Sequence, residues 1–513
     1  MRSLRVAWVG LNLLVALAMA LGAAAGPPGS TRLAYVVLLF ALCSSPLLQM
    51  RQLNDRFALL GVFLGIYFMF FGNIDLMAAI GLASGSQASR DLLSGAELLI
   101  VCGAVLFTAS YQLAAAALRI RPGSAAQGPA DWKNLHLFVF GAVLWLIGTA
   151  AVLTLNIVVV PEKTNDSVSQ GLTQLGPWTT AMVILGNYLQ PLGGVVIAYG
   201  YAKFRSKPWL LAALAVIVGQ LVVGLICDIK GMALMGAVIV VLVLVLVHGR
   251  VPLAWVLGAA LGAAMVFPVL QAYRGVIAGG GLSRADALQD FSGSLRAALQ
   301  ARKSVMRGAP DERAQTIFER SNLKPSVELA VSATGRGTPF QYGRTLEPLL
   351  STFIPRLLWA KKPDIAVGQE FAQQFGLDVG ENTYISPSHL GEFYWNFGWP
   401  GALGGMTLIG LLFGAVGARC DLSAGASVTR VLVLLSTSVL LGLGFESTVA
   451  AQYSVWARSM VVVWLLHLVL SRRTAARAPP TGPAPDTARD DRPRLDPATV
   501  PVARFAHRAT GPA

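Results

Sequence analysis

Met232-Ala233-Leu234-Met235-Gly236-Ala237-Val238-Ile239-Val240-Val241-Leu242-Val243-Leu244-Val245-Leu246-Val247-His248, residues 232–248, holds no charged side chain before its closing histidine. As a helix it runs roughly 25 Å, close to the ~30 Å of bilayer hydrocarbon. In that medium only a helix or a closed barrel satisfies every backbone N–H and C=O. Comparable runs fall at 6–25, 33–50, 57–73, 94–118, 135–160, 178–200, 209–227, 253–272, 399–418, 430–449 and 455–470. The fold class they predict is all-α, a polytopic membrane bundle of about twelve transmembrane helices.

Composition agrees. Apolar residues make up 55% of the 513 and charged residues 13%, against about 25% charged in soluble domains. The formal charge of +14 does not point to nucleic acid, because most Lys and Arg lie in short loops between apolar runs and in the tail. That placement sets orientation in the membrane. Arg2 and Arg5, Arg51 and Arg56, Arg119, Arg121 and Lys133, Lys203, Arg205 and Lys207, Arg250, Arg419 and Arg430, and Arg472 and Arg473 occupy alternate loops. Those loops are expected on the cytoplasmic side together with both termini. Ala23-Ala24-Ala25-Gly26 has the small residues of a signal-peptide cleavage site, but the preceding apolar run is long for one and reads as a retained span.

Four domains follow: residues 1–272 with spans one to nine, a large extracytoplasmic loop 273–398, spans ten to twelve in 399–470, and a disordered cytoplasmic tail 471–513. The loop contains helix-like pieces from Ser283 to about Met306, from Asp311 to Ser321 and from Val367 to Phe375. The four cysteines (Cys43, Cys102, Cys227, Cys420) lie in or beside apolar runs, which makes disulfides and cysteine-based metal sites unexpected.

Ionisable residues in or near spans suggest function by default. Asp75, Glu97, Asp228, Lys230, Glu446 and Arg458 are expected near the outer ends of their spans, either around a working site there or as interfacial pairs. Of five histidines only His389 falls outside the cytoplasm. An imidazole near its ordinary pKa can accept a proton from a sugar hydroxyl. Glu392, three residues on, shares a helix face with it and would orient the ring or act as the base itself. On spacing alone, the favoured reading of His389 is a surface histidine at a helix start capped by Ser386 or Ser388. Arg274, Arg336, Arg344, Arg356, Lys361 and Lys362 supply cations suited to phosphate oxygens. Trp359, Tyr384, Tyr394, Trp395 and Trp399 have rings for stacking on sugar faces or for a membrane-interface belt. No zinc-like His/Cys spacing, P-loop or dinucleotide fingerprint occurs.

The string Pro355-Arg356-…-Trp359-…-Lys362-Pro363, followed by Gly391-Glu392-…-Tyr394-…-Asn396-Phe397-Gly398-…-Gly401, resembles the bacterial Wzy-type O-antigen and exopolysaccharide repeat-unit polymerases. The resemblance covers the span plan with its late outer loop and is strongest from about Gly343 to Gly410. His389 and Gly398-Trp399-Pro400-Gly401 also match the related O-antigen ligases, which usually carry Asn or Ser where this chain has Leu390. The resemblance implies a multi-pass protein of the bacterial inner membrane that joins undecaprenyl-diphosphate-linked oligosaccharide units on the periplasmic side. It implies metal-independent, inverting glycosyl transfer without a cofactor. His389 or Glu392 would be the base, and Arg274, Arg344 and Arg356 would hold the diphosphate. Membrane lipid, a chain-length regulator and a flippase are the partners it suggests, and nucleic acid is not. A ligase using the same chemistry and a lipid-linked oligosaccharide flippase are the alternatives.

Overall fold

The computed structural model describes residues 30–49, 53–79, 94–118, 134–159, 177–227, 230–280, 289–305, 322–351, 354, 359, 367–377, 385–422 and 427–475. Regular structure among them is helical, apart from an isolated bridge between Thr334 and Thr338. The first five helices are α1 (Ser30–Gln49), α2 (Ala58–Phe71), α3 (Asn73–Ala79), α4 (Gly95–Ala117) and α5 (Asn134–Leu153). Four more follow: α6 (Pro177–Phe204), α7 (Lys207–Ile226), α8 (Lys230–His248) and α9 (Leu253–Gly280). Between the spans come α10 (Phe291–Val305), α11 (Lys324–Ala333), a 3-10 turn at Arg344–Leu346, α12 (Glu347–Ser351) and α13 (Val367–Gln374). The chain then forms α14 (Ser388–Arg419), α15 (Val428–Ser436) and α16 (Val449–Ala475). A π-helical stretch Thr437–Gly442 and a 3-10 turn Leu443–Glu446 extend α15.

Among the described residues, seven helices are long and apolar enough to cross a bilayer: Gly95–Ala117, Asn134–Ile157, Lys207–Ile226, Gly231–His248, Ser388–Arg419, Val428–Glu446 and Val449–Leu468. Three expected spans hold shorter apolar helices, Ala34–Pro46, Ala58–Phe71 and Leu253–Gly262. The expected span 178–200 falls within α6. The span expected at 6–25, the helical piece at 311–321 and the tail beyond 475 lie outside the described residues. The other two helical pieces are α10 and α13. Leu211, Leu257, Leu261 and Leu408 are exposed on the outside of the bundle, as lipid-facing positions of an apolar helix would be.

Small residues set the helix contacts. α4 and α14 run side by side in the same direction: Gly410 meets the backbone of Phe107, and Gly414 that of Tyr111. α5 and α6 approach through Gly148 against Gln190 and Gly193 against Trp145. Backbones come this close only where no side chain intervenes, which favours glycine at helix crossings in a bilayer.

The two ends of the bundle differ in charge. At one end Tyr111 Oη donates to the Arg56 carbonyl, Leu422 N to Asn54 O at 3.2 Å, and Leu53 N to Gly249 O at 3.3 Å. Arg56, Arg250 and Arg419 therefore share that end. At the other, Lys324 at the start of α11 reaches Asp75 of α3 at 3.0 Å and Glu97 of α4 at 2.6 Å, with its ammonium 4.8 Å from the Tyr35 ring centre. Leu323 N donates to Phe70 O at 3.0 Å. Residues 322–333 are thus clamped onto the helix ends by a partly buried ion cluster, and Asp75 and Glu97 are explained as paired groups.

Burial alone would lower the pKa of Lys324, but the Asp75 and Glu97 carboxylates outweigh it and hold the ammonium above the ordinary lysine range. The clamp is therefore complete below the unfolded lysine value of ~10.4 and fades as pH rises through the higher folded value. Lys324→Met removes the cation shared by Asp75 and Glu97 and is expected to cost about 3 kcal/mol. That loss appears as a lower melting temperature in nanodiscs; an unchanged melting temperature would remove the clamp from this account.

Candidate functional site

α14 is one helix in name only. Gly398 has φ +66° and ψ −150°, a backbone region essentially reserved for glycine, and it divides a first leg, Ser388–Phe397, from the spanning leg. Leu390 and Met406, sixteen positions apart in the sequence, both lie 3.4 Å from the point a Cβ on Gly103 of α4 would occupy. The Phe393 ring covers Gly405, and the Phe393 carbonyl approaches Gly401. The first leg therefore doubles back along the second. Gly103 is the ninth residue of α4, which places Leu390 about 12 Å along from the N-terminal end of that helix at 1.5 Å per residue.

This geometry revises the expected loop 273–398. Its last ten residues before Gly398 form a helix inserted into the bundle, and the helix begins at Ser388 where the tenth span was expected to begin at 399. No side chain caps its N-terminus at Pro387. Ser386 Oγ accepts from Ser388 N at 3.4 Å and Ser388 Oγ from Gly391 N at 3.3 Å.

The leg carries a buried polar knot. Glu392 accepts from Thr345 Oγ1 at 2.8 Å through Oε1 and from Val449 N at 2.7 Å through Oε2. Asn396, one turn later, donates from Nδ2 to Thr345 Oγ1 at 2.7 Å and to the Glu392 carbonyl at 2.8 Å, and its Oδ1 accepts from Gly343 N at 2.8 Å. Gln341 N and Tyr342 N donate to the carbonyls of Trp395 and Asn396 at 3.0 and 3.1 Å, which satisfies groups the leg's C-terminal end would leave bare. Tyr342 and Gly343 have φ +49° and +91°, and the resulting tight turn presents residues 341–345 to the leg. With Glu392 and Asn396 fully buried, the knot ties three segments together: the leg, the 341–346 turn and the start of α16.

His389 is also fully buried, and neither ring nitrogen has a hydrogen-bond partner in the protein. Its ring packs edge-on to Phe445 at 4.7 Å and tilted against Tyr453 at 5.6 Å. Each Glu392 oxygen accepts one hydrogen bond, whereas the His389 ring nitrogens accept none from the protein. The surface-histidine alternative does not describe this position.

The cations are spread more widely. Arg344 is exposed on the 3-10 turn and pairs with Glu370 of α13 at 2.8 Å. Arg336 is exposed on the turn after α11. Arg274 lies on α9, with its side chain outside the description, and Arg356, Lys361, Lys362 and Tyr384 lie outside the described residues. Trp359 is exposed. Tyr394 and Trp395 are not surface platforms: Tyr394 is buried near Trp399, and Trp395 is enclosed by Phe371 and Phe375. Glu446 is exposed at the end of its 3-10 turn. Arg458 departs from the expected outer position because α16 starts at Val449, six residues before the predicted 455. It lies about 13 Å along α16 from Val449, where it donates to Tyr188 Oη at 3.4 Å. Among the described residues no group of three or more His, Cys, Asp or Glu side chains is placed to hold a metal ion.

Thr345, Thr448, Val449 and Tyr453 had not been singled out from the sequence. Only Asn396 carried a signal, its position four residues after Glu392 on one helix face. No family model, curated protein or solved structure matches the chain.

Glu392→Ala removes the acceptor for Thr345 Oγ1 and Val449 N and is expected to cost about 3 kcal/mol. The 341–346 turn loses its anchor, so trypsin should cut after Arg344 faster than in the unsubstituted protein. Unchanged cleavage in both Glu392→Ala and Thr345→Val would show that the knot does not hold the turn.

Proposed function

We propose that this chain is a membrane glycosyltransferase that joins undecaprenyl-diphosphate-linked oligosaccharide repeat units into a surface polysaccharide on the outer side of the inner membrane. The observation that carries the reading is a folded-back helical leg that brings His389, with both ring nitrogens uncommitted, inside the bundle beneath a turn bearing Arg344. A buried imidazole below an arginine-bearing turn suits a reaction that takes a proton from a hydroxyl and releases a diphosphate.

In this reading the terminal hydroxyl of one lipid-linked unit attacks the anomeric carbon of another. The new C–O bond forms as the bond from that carbon to the lipid diphosphate breaks, and the hydroxyl proton passes to His389. Attack opposite to the leaving group inverts the anomeric centre. Glu392 holds the leg in place through its hydrogen bonds from Thr345 and Val449. Arg344 and Arg336 would supply the cations for the developing diphosphate charge, for which guanidinium groups are suited in geometry and permanence of charge.

A second reading, a flippase for the same lipid-linked oligosaccharide, draws on Arg458, a cation far along a spanning helix where transport paths place charge. Complementation of a polymerase-deficient strain separates the two. His389→Ala is expected to reduce long chains by 10²-fold or more, as loss of a general base does, with single capped repeats accumulating at normal protein levels. Arg344→Ala should shorten chains in the same direction. Wild-type chain lengths from both variants would overturn the site assignment, and loss of all outward-facing lipid-linked repeat would favour the flippase.

A further inference from the structure

The His389 ring is one of several bare polar groups in the same part of the bundle. Nδ1 and Nε2 of His389, Oη of Tyr453 and Oγ1 of Thr448 are all buried without a hydrogen-bond partner in the protein. Their surroundings bring them together. Val449 N donates to Glu392 Oε2, which holds the Thr448–Val449 peptide against the first leg of α14, three residues from His389. Tyr453 is four residues after Val449 on α16 and so shares its face, and its ring lies 5.6 Å from that of His389. On the apolar side the site is closed by Phe445, which packs in turn on Phe63, Tyr67 and Phe71.

Buried polar atoms are almost always hydrogen-bonded, and a cluster without protein partners is where internal water is held. A polar pair that stays beyond direct hydrogen-bond reach is commonly bridged by such a water. We propose that His389, Tyr453 and Thr448 line a closed hydration site, with bound water acting as the hydrogen-bond partner of the imidazole. The neutral ring has one donor and one acceptor nitrogen, while a tyrosine or threonine hydroxyl provides both functions. A water with two to four such neighbours is fully satisfied. Trp395 Nε1 is also bare but faces Phe371 and Phe375, so it does not belong to this group.

The role of this water in catalysis rests on the glycosyl-transfer reading. The acceptor hydroxyl gives its proton to the water oxygen while the water gives one of its own to His389, and the water is regenerated. Its existence does not depend on that reading, and the test uses no activity.

Tyr453→Phe and Thr448→Val each remove one hydroxyl with little change of shape. In a hydrated site each variant breaks a bond to the water and should lower the melting temperature of the full-length protein in nanodiscs by about 1–2 °C. In a dry site each variant deletes an unpartnered buried hydroxyl, and the melting temperature stays level or rises in both, which would overturn the proposal. Electron cryomicroscopy at a resolution that shows water gives the second readout. The expected density lies within hydrogen-bond distance of a His389 ring nitrogen and Tyr453 Oη, and is lost in Tyr453→Phe. A site without density in the unsubstituted protein would contradict the inference while leaving the polymerase reading to its own complementation test.

Discussion

A carboxylate removed from water needs donors in place of its hydration shell, and Glu392 has two, the Thr345 hydroxyl and the Val449 amide. Each of these hydrogen bonds satisfies a group that burial takes from water. They also come from segments far apart in sequence, so one side chain holds the outer turn and the start of α16 against the folded-back leg. Asn396 repeats the device one turn later by bonding Thr345, Gly343 and the leg's own carbonyl. The members of the knot position the leg, and His389 lies beside it without a hydrogen-bond partner in the protein.

The same economy of charge governs the rest of this end of the bundle. Asp75 and Glu97 sit where the helix ends meet residues 322–333, and Lys324 answers both. Removing either side of such a partly buried cluster exposes an uncompensated charge, which is why it acts as a clamp. At the opposite end, arginines and backbone hydrogen bonds join the loops around Arg56, Arg250 and Arg419. Arg458 is the exception, held by Tyr188 at 3.4 Å well inside a spanning helix. A charge in that position is retained only for a reason.

Much of this organisation is legible in the residues. Long apolar runs identify helices such as α8, and the alternating placement of arginines anticipates that Arg56, Arg250 and Arg419 share an end. The spacing of His389, Glu392 and Asn396 puts them on one helix. The folded-back leg is not legible, for a physical reason. Residues 388–397 mix polar and aromatic side chains and read as loop, because hydropathy measures compatibility with lipid while this leg is buried in protein. Gly398 and Pro400 suggest a turn but not its angle. Thr345, Val449 and Lys324 find their partners only through tertiary contacts, so no local spacing announces them. Tyr394 and Trp395 mislead in the opposite sense: aromatic residues beside a span suggest an interface, and here they fill the core.

The central claim is that α14 reverses at Gly398 and carries His389 into the bundle. The direct test is disulfide formation between Phe393→Cys and Gly405→Cys in a background lacking the native cysteines, with mild oxidant and native membranes. In a continuous helix residues twelve apart are about 18 Å from one another, far beyond the ~4 Å between Cβ atoms that a disulfide spans. Phe393 lies directly on Gly405 in this structure, so the account predicts rapid and nearly complete cross-linking within one chain. Absence of that cross-link, while a control pair across α4 and α14 at Gly103 and Met406 forms readily, would show a straight helix and place His389 outside the bundle.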